Sequence, residues 1–268
     1  MTANRDDVVA AVHFTPAFGA RDANRAALVQ LTREAAARAG VVVLPELATT
    51  GFVLRPHEAA SWAEPIPGPT TDALAAVARD TGTVVVVGLP VRVTPDAPAP
   101  GRDGPAGLDD PADFRCNAQV VLDVDGGVAG VYAKHHLWGA DHDWASPGPS
   151  PGAVVETGRG RIGLLVCHDL VHTRTLLTVA RERPRLLALS TAWVGDGEEP
   201  LPAPWILASL LLDGAALVIA NRGGAERGVR FDDPSAIVIR GAVVGRSEVG
   251  PGPQVVLAAV SARSAAPR

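Results

Sequence analysis

Three residues of this sequence have side chains that together could hydrolyse an acyl bond: Glu46, Lys134 and Cys167. Each follows a short apolar run, so we expect each at the end of a buried strand. A cysteine can act as nucleophile, a carboxylate can accept its proton and later activate water, and an ammonium can stabilise a developing oxyanion. The residues are far apart in the sequence, which excludes a local motif. The combination is typical of acyl transfer from an amide or a nitrile.

Lys134 is the only lysine among 24 basic residues. A solvated surface cation tolerates exchange between lysine and arginine, whereas a confined site accepts only the compact ammonium, because the guanidinium is planar and larger. The composition therefore favours a confined, functional position for this lysine. The alternative is a surface lysine that has survived by chance.

Cys167 is interpreted as the nucleophile, whereas Cys116 is interpreted as a small buried hydrophobic residue, which is also the alternative for Cys167. A strand that ends at a helix N-terminus, with an ammonium nearby, would lower the pKa of the Cys167 thiol. Glu46 is interpreted as the base, because an acid directly after an apolar strand is uncommon unless it is paired or functional; a helix cap or a surface acid is the alternative. His168 is too close in sequence to turn back on the cysteine, so we expect it in a pocket wall, or as a packed, hydrogen-bonded histidine.

Aromatic side chains near the same sheet edge are candidates for the acyl pocket. Trp193 leaves its strand on that edge, and we expect it to contact the substrate together with His168 and Trp138. The alternative for large aromatic residues is a place in the core. Glu198 and Glu199 would suit a cationic substrate, although an acidic solvent loop is the default interpretation.

Alternating strands and helices would position these residues, and they indicate a single α/β domain over residues 1–268. The hairpin predicted around residues 117–133 leads directly to Lys134. Two segments lack an apolar pattern, and we predict a flexible Pro/Gly-rich insertion at about 93–113 and a disordered tail at 261–268. Helices are predicted at 23–40, 71–82, 174–184 and 202–214.

The composition argues against several classes of partner. The net charge is -5 and no run is rich in lysine or arginine, which disfavours nucleic acid and anionic membranes. The apolar runs are too short to cross a bilayer, and the start of the chain lacks the pattern of a secretory signal, so we expect a cytoplasmic location. Two cysteines make no disulfide framework. The expected partner is a small molecule.

A group of histidines suggests a metal site as an alternative. They are His135, His136, His142, His168 and His172. Adjacent histidines on a strand would point to opposite faces, and the group lacks a ligand spacing such as HExxH. We therefore predict no metal site.

At the three catalytic candidates the sequence resembles the nitrilase superfamily, the carbon-nitrogen hydrolases. Their PEL, Lys-x-His-Leu and GLLxCxD segments read here PELATTGF, AKHHLWGADHDWASPG and GLLVCHDL, and the resemblance covers nearly the whole chain in the same order. It implies a four-layer α/β/β/α sandwich, no metal or organic cofactor, a covalent thioester or thioimidate intermediate, and a homodimer as the assembly. The family's second Glu, seven residues after the Lys, corresponds to Asp141, which the resemblance adds to the catalytic residues.

The chain also departs from the family's pattern. After Cys-x-Asp the family commonly continues with Phe-Pro-Glu, where this chain has His172, Thr173 and Arg174. We predict an amidase that acts on a small linear amide or carbamoyl compound and releases ammonia. One alternative is a catalytically silent domain that keeps the fold and binds a ligand or partner. The other, ranked last, is a metal hydrolase built on the histidines.

Overall fold

The structure is a computed structural model that describes residues 4–52, 54–92, 114–195, 201–250 and 252–260. The predicted insertion at 93–113 and the predicted tail at 261–268 lie outside these residues, as do Glu198 and Glu199. None of the described helices is long and apolar enough to cross a membrane.

Five α-helices and fourteen strands make up the described part of the chain. The helices are α1 (Arg21–Ala36), α2 (Pro56–Trp62), α3 (Pro69–Thr81), α4 (Thr173–Arg181) and α5 (Ala203–Leu211). The strands are β1 (Val8–His13), β2 (Val41–Val43), β3 (Val84–Arg92), β4 (Arg115–Leu122), β5 (Val128–Ala133), β6 (Ala153–Val155), β7 (Ile162–Val166), β8 (Leu186–Thr191), β9 (Ala216–Asn221), β10 (Gly224–Glu226), β11 (Val229–Phe231), β12 (Ala236–Ile239), β13 (Ala242–Arg246) and β14 (Gln254–Ala259).

Twelve of the strands form two sheets of six. The first sheet has the order β14-β1-β2-β3-β4-β5, and the second has the order β13-β12-β9-β8-β7-β6. At the centre of each sheet three strands run parallel, β1-β2-β3 in the first and β7-β8-β9 in the second. Side chains that follow neighbouring parallel strands therefore meet at one edge of each sheet.

The two sheets pack face to face, and helices cover both outer faces. In β1, Val9 and Ala11 pack into the core between the sheets, whereas Ala10 and Val12 pack under α1 and α3. Because both faces of such a strand are buried, its sequence is a continuous apolar run. On the other side α4 and α5 cover the second sheet, where Trp205 is fully buried. The layers are α/β/β/α, which confirms the predicted four-layer sandwich.

The structure differs from the sequence-based elements in three places. The sequence predicts that the strand before Cys167 leads directly into a helix, but a 3-10 helix, Cys167–Val171, separates β7 from α4. The segment after β9 is polar and rich in glycine, which favours a loop, but it contains the short hairpin of β10 and β11. Helix α2 was not predicted, because seven residues starting at Pro56 are too short to show a helical period.

Candidate active site

Glu46 follows β2 in a turn that packs on the backbone of β3. The Gly88 N–H donates to the Pro45 carbonyl at 3.1 Å, and the Ala48 N–H donates to the Gly88 carbonyl at 2.9 Å. A Cβ at residue 88 would lie 2.5 Å from the Pro45 oxygen and 2.6 Å from Glu46 Cα. Glycine is therefore required for this close approach, which places the carboxylate at the sheet edge.

The structure brings Lys134, Glu46 and Asp141 into direct contact. Lys134 follows β5, and its Nζ donates to Glu46 Oε1 at 2.8 Å and to Asp141 Oδ2 at 2.6 Å. All three side chains are fully buried. A buried charge is costly to desolvate unless it is paired and hydrogen-bonded, and here one ammonium serves two carboxylates. The contacts explain why position 134 holds a lysine.

These contacts shift the pKa values of the charged groups. Burial alone would lower the pKa of Lys134, but the carboxylates of Glu46 and Asp141 raise it well above its ordinary value. Burial raises the pKa of Glu46, and the charge of Asp141 acts in the same direction, while Lys134 opposes both. The site therefore holds a permanent ammonium beside a carboxylate that is more basic than a solvated one.

Asn117 is a member of this cluster that the sequence analysis did not identify. It lies on β4, and its Nδ2 donates to Glu46 Oε1 at 2.7 Å and to Asp141 Oδ1 at 3.1 Å. It is fully buried. The available signal was an amide side chain in a strand that is apolar at most other positions, because a buried polar group of this kind needs partners.

Cys167 is in a strained backbone conformation at the end of β7. Its φ is 45°, in the left-handed region that non-glycine residues rarely adopt. Asp169 holds the turn together: it accepts hydrogen bonds from the Val166 N–H at 3.1 Å, the His136 N–H at 2.8 Å and the Tyr132 hydroxyl at 2.8 Å. The buried carboxylate thus connects the turn at Cys167 to the strand that precedes Lys134.

The expectation of a lowered thiol pKa is wrong. Burial and the nearby carboxylate of Glu46 raise the pKa of Cys167 to about 12, although the Lys134 ammonium acts in the opposite direction. The sequence argument counted the ammonium and a helix N-terminus, whereas the structure surrounds the sulfur with a 3-10 turn, apolar neighbours and a carboxylate. A thiol with a raised pKa is protonated at rest, so a reaction at this sulfur would require a base to accept its proton.

The three candidate substrate contacts lie in different surroundings. His168 follows the cysteine and is half-buried. The Trp138 ring is 37% exposed and lies 6.0 Å from the Phe52 ring, and its backbone N–H donates to Asp141 Oδ2 at 3.3 Å. Trp193 is half-buried, and its ring packs edge-on against a core tryptophan at 5.6 Å. Their roles toward a substrate stay predictions.

The histidines form a contact cluster, and the argument that His135 and His136 point to opposite faces is wrong. Both lie beyond the last residue of β5, and their rings are 4.7 Å apart. The His136 ring stacks on His172 at 3.5 Å, and His168 lies 5.0 Å from His172. Burial and the neighbouring imidazoles lower the pKa of His136 to about 4. Part of this cluster lines a cavity of about 670 Å³, at the start of α4.

No group of three or more histidine, cysteine or carboxylate side chains within the described part of the chain is arranged to hold a metal ion. The buried ammonium occupies the position between the two carboxylates. Their oxygens are used by Lys134, by Asn117 and by backbone N–H groups, including that of Ala192 at 2.7 Å from Glu46 Oε2.

Comparisons with a family model and with individual proteins identify sequences related to this chain. A family model described as carbon-nitrogen hydrolase matches residues 8–262. The chain is 31% identical to a nitrilase of Pyrococcus abyssi over 236 residues, which is 85% of this chain and 80% of that protein. It is 29% identical to human deaminated glutathione amidase over 150 residues, covering 51% of this chain but only 45% of that protein. The chain thus spans about half of that relative's length.

The fold also matches a solved structure. An amidase of the nitrilase superfamily from Nesterenkonia AN1 superimposes with a TM-score of 0.75, over 95% of this chain and 91% of that chain, at 22% sequence identity. The family model covers more than half of the chain, and the fold agrees with it. The chain belongs to the carbon-nitrogen hydrolase family, within the nitrilase superfamily.

Proposed function

We propose that the chain is an amidase that hydrolyses a small linear amide or carbamoyl compound through an acyl-enzyme on Cys167 and releases ammonia. The observation that carries this proposal is the buried contact of Lys134 with Glu46 and Asp141, within electrostatic reach of the cysteine thiol. One base, one fixed cation and one nucleophile are the groups that acyl transfer requires.

In the first half-reaction the Cys167 sulfur attacks the amide carbonyl carbon while the thiol proton moves to Glu46. The tetrahedral oxyanion is stabilised by Lys134 and by backbone N–H groups at the start of the 3-10 turn. The carbon–nitrogen bond then breaks as the leaving nitrogen takes the proton from Glu46. The products are ammonia and a thioester on the cysteine.

In the second half-reaction Glu46 accepts a proton from water, and the hydroxide formed attacks the thioester carbonyl. The carbon–sulfur bond breaks, the acid leaves, and the proton returns from Glu46 to the sulfur. Lys134 cannot replace Glu46 in either step, because its pKa is held well above the ordinary lysine value and it keeps its protons. In this mechanism Asp141 fixes the ammonium and does not exchange protons with the substrate.

The relatives support amide chemistry without naming the substrate. One solved structure of the Nesterenkonia amidase shows the covalent addition of the acetamide moiety of fluoroacetamide at its active-site cysteine. A cysteine that forms such a bond in a related fold supports the role proposed for Cys167. The nitrilase relative makes a nitrile the competing substrate class.

The proposal is tested by ammonia release from a panel of short aliphatic amides, carbamoyl compounds and nitriles, with wild type, Cys167→Ala and Cys116→Ala compared. The expected result is release from amides or carbamoyl compounds that requires Cys167 and survives loss of Cys116, with an acyl adduct on Cys167 by intact-mass spectrometry. Release from nitriles alone would change the substrate class. Absence of release and of any adduct would favour the silent ligand-binding domain.

A further inference from the structure

A buried ion pair to which the mechanism above assigns no role lies close to the active site. Arg222 directly follows β9 and Glu226 ends β10. Arg222 Nη1 donates to Glu226 Oε2 at 2.5 Å, and the two side chains are only 1% and 3% exposed. Removing both charges from water costs free energy, so a buried pair of this kind needs further hydrogen bonds to its charged groups.

The Glu226 carboxylate accepts hydrogen bonds from the loop that follows Glu46, the proposed general base. We call residues 47–52 the base loop. Both carboxylate oxygens accept from the N–H of its last residue, Phe52, at 3.0 and 3.2 Å. Gly51 has a φ of 94°, and a Cβ on it would lie 2.5 Å from Glu226 Oε2. A glycine therefore lets the carboxylate reach the loop backbone.

The other end of the base loop is the residue after Glu46. Leu47 has a φ of 46°, a conformation that costs free energy unless neighbouring contacts enforce it. Within the loop, the Gly51 N–H donates to the Leu47 carbonyl at 3.2 Å. The loop is closed on itself, and Glu226 attaches its far end to the hairpin of β10 and β11.

The Phe52 side chain links this attachment to the reacting groups. Lys134 Nζ lies 5.9 Å from the centre of the Phe52 ring. The ring also packs edge-on against Phe231 at 5.9 Å, and the Arg222 guanidinium lies 4.2 Å from the Phe231 ring centre. A shift of the base loop would therefore move the surroundings of the lysine as well as those of the base.

The pair also contributes to the electrostatic environment of Glu46. The charged and titratable groups that act on this carboxylate are Lys134, Asp141, Cys167 and Arg222. Burial lowers the pKa of Arg222, while the carboxylates of Glu226 and of Glu46 raise it. Arg222 and Glu46 therefore interact, and the negative charge of Glu226 opposes the effect of the arginine on the base.

We propose that Glu226, paired with Arg222, is a positioning residue of the reaction, which fixes the base loop and balances the buried charge that faces Glu46. This inference rests on the proposed function, because it assigns Glu46 as the base. It predicts that the two halves of the pair have opposite effects on the protonation of Glu46, although they belong to one contact.

The test compares the pH dependence of kcat/KM for amide hydrolysis in wild type, Glu226→Gln and Arg222→Gln. The amide introduced by Glu226→Gln can still accept from the Phe52 N–H but leaves the arginine uncompensated, so the acid limb moves to lower pH. Arg222→Gln removes the positive charge that balances the negative charge of Glu226, so the acid limb moves to higher pH. Each shift is expected to be about half a pH unit or more.

Two further variants separate positioning from simple structural support. Arg222→Lys keeps the charge and should retain the wild-type acid limb. Asp232→Asn removes the ion pair with Arg230 of β11, which belongs to the same hairpin, and should leave the pH profile unchanged. Thermal unfolding of every variant reports whether it is folded.

Opposite shifts in the two pair variants, with wild-type profiles for both controls, support the proposal. Shifts in the same direction, or no shift in folded variants, overturn it while the amidase activity of the wild type stands. If wild type shows no turnover that depends on Cys167, both the proposed function and this inference are overturned.

Discussion

Lys134 Nζ lies 2.6 Å from Asp141 Oδ2, and this is the shorter of its two contacts with carboxylates. The acid that stands where the superfamily has its second Glu is therefore a direct partner of the ammonium. Asp141 lies on a 3-10 helix, Gly139–Asp143, that brings its short side chain to the cluster. The backbone of this 3-10 helix lies close enough to Lys134 for the short aspartate side chain to reach the ammonium.

We expect Asp141→Glu to reduce turnover by about 10-fold or more, because an added methylene in a fully buried contact displaces its neighbours. The measurement is kcat with the best amide of the panel. Asp143→Glu is the matched control, since it lies on the same 3-10 helix but is exposed. Faster turnover of the glutamate variant would contradict this expectation and would show that the shorter side chain of Asp141 limits turnover in wild type.

Lys134→Arg should reduce kcat by roughly 100-fold to 1000-fold, the range found when a donor to an oxyanion is removed. The charge is kept, but the planar guanidinium does not fit between two carboxylates in a fully buried site. Steady-state kinetics and circular dichroism measure activity and folding, and Arg38→Lys on the surface is the control. Full activity would contradict the confined-lysine argument.

The pH profile of kcat/KM should have its acid limb above the ordinary glutamate pKa of 4.5, because burial raises the pKa of Glu46. Glu46 has to be ionised to accept the thiol proton, so activity is lost as the pH falls through this raised pKa. Asp141 contributes to the increase, and Asp141→Asn should move the limb to lower pH. An acid limb at or below 4.5 in wild type would argue against Glu46 as the base.

Replacing Asn117 by leucine should cost about 1 to 3 kcal/mol of unfolding free energy and should also lower kcat, because two buried carboxylates lose a shared donor. Chemical denaturation and kinetics are measured together. Gln119→Leu, two residues along β4, is the control: Gln119 donates to Ala188 and Ser190 of the second sheet. Its loss should reduce stability with little effect on kcat.

The layered fold could be predicted from the sequence because most strands are buried on both faces and appear as apolar runs. The position of the three catalytic candidates at the ends of strands could be predicted because each follows such a run. The short elements could not: β6, β10 and β11 have three residues each, too few for a periodic pattern. Propensity also does not distinguish a 3-10 turn from the first turn of a helix.

Buried polar side chains with distant partners were the harder part of the site. Asn117 contacts Glu46 and Asp141, and Glu226 contacts the Phe52 N–H, and these partners become apparent only when the chain is folded. The pKa of Cys167 was misjudged for the same reason, since charge can be counted in a sequence but burial by a second sheet cannot. The period-two rule failed for His135 and His136 because it applies only inside a strand.

The four-layer arrangement divides the proposed catalytic groups between the two sheets. Glu46 and Lys134 extend from the first sheet, and Cys167 extends from the second, with the chain crossing from one sheet to the other between β5 and β6. The thickness of the apolar core between the sheets therefore sets the spacing of base and sulfur. A chain cut at that crossing would yield two pieces, each with an incomplete set of groups, and hydrolysis would return only with their reassembly.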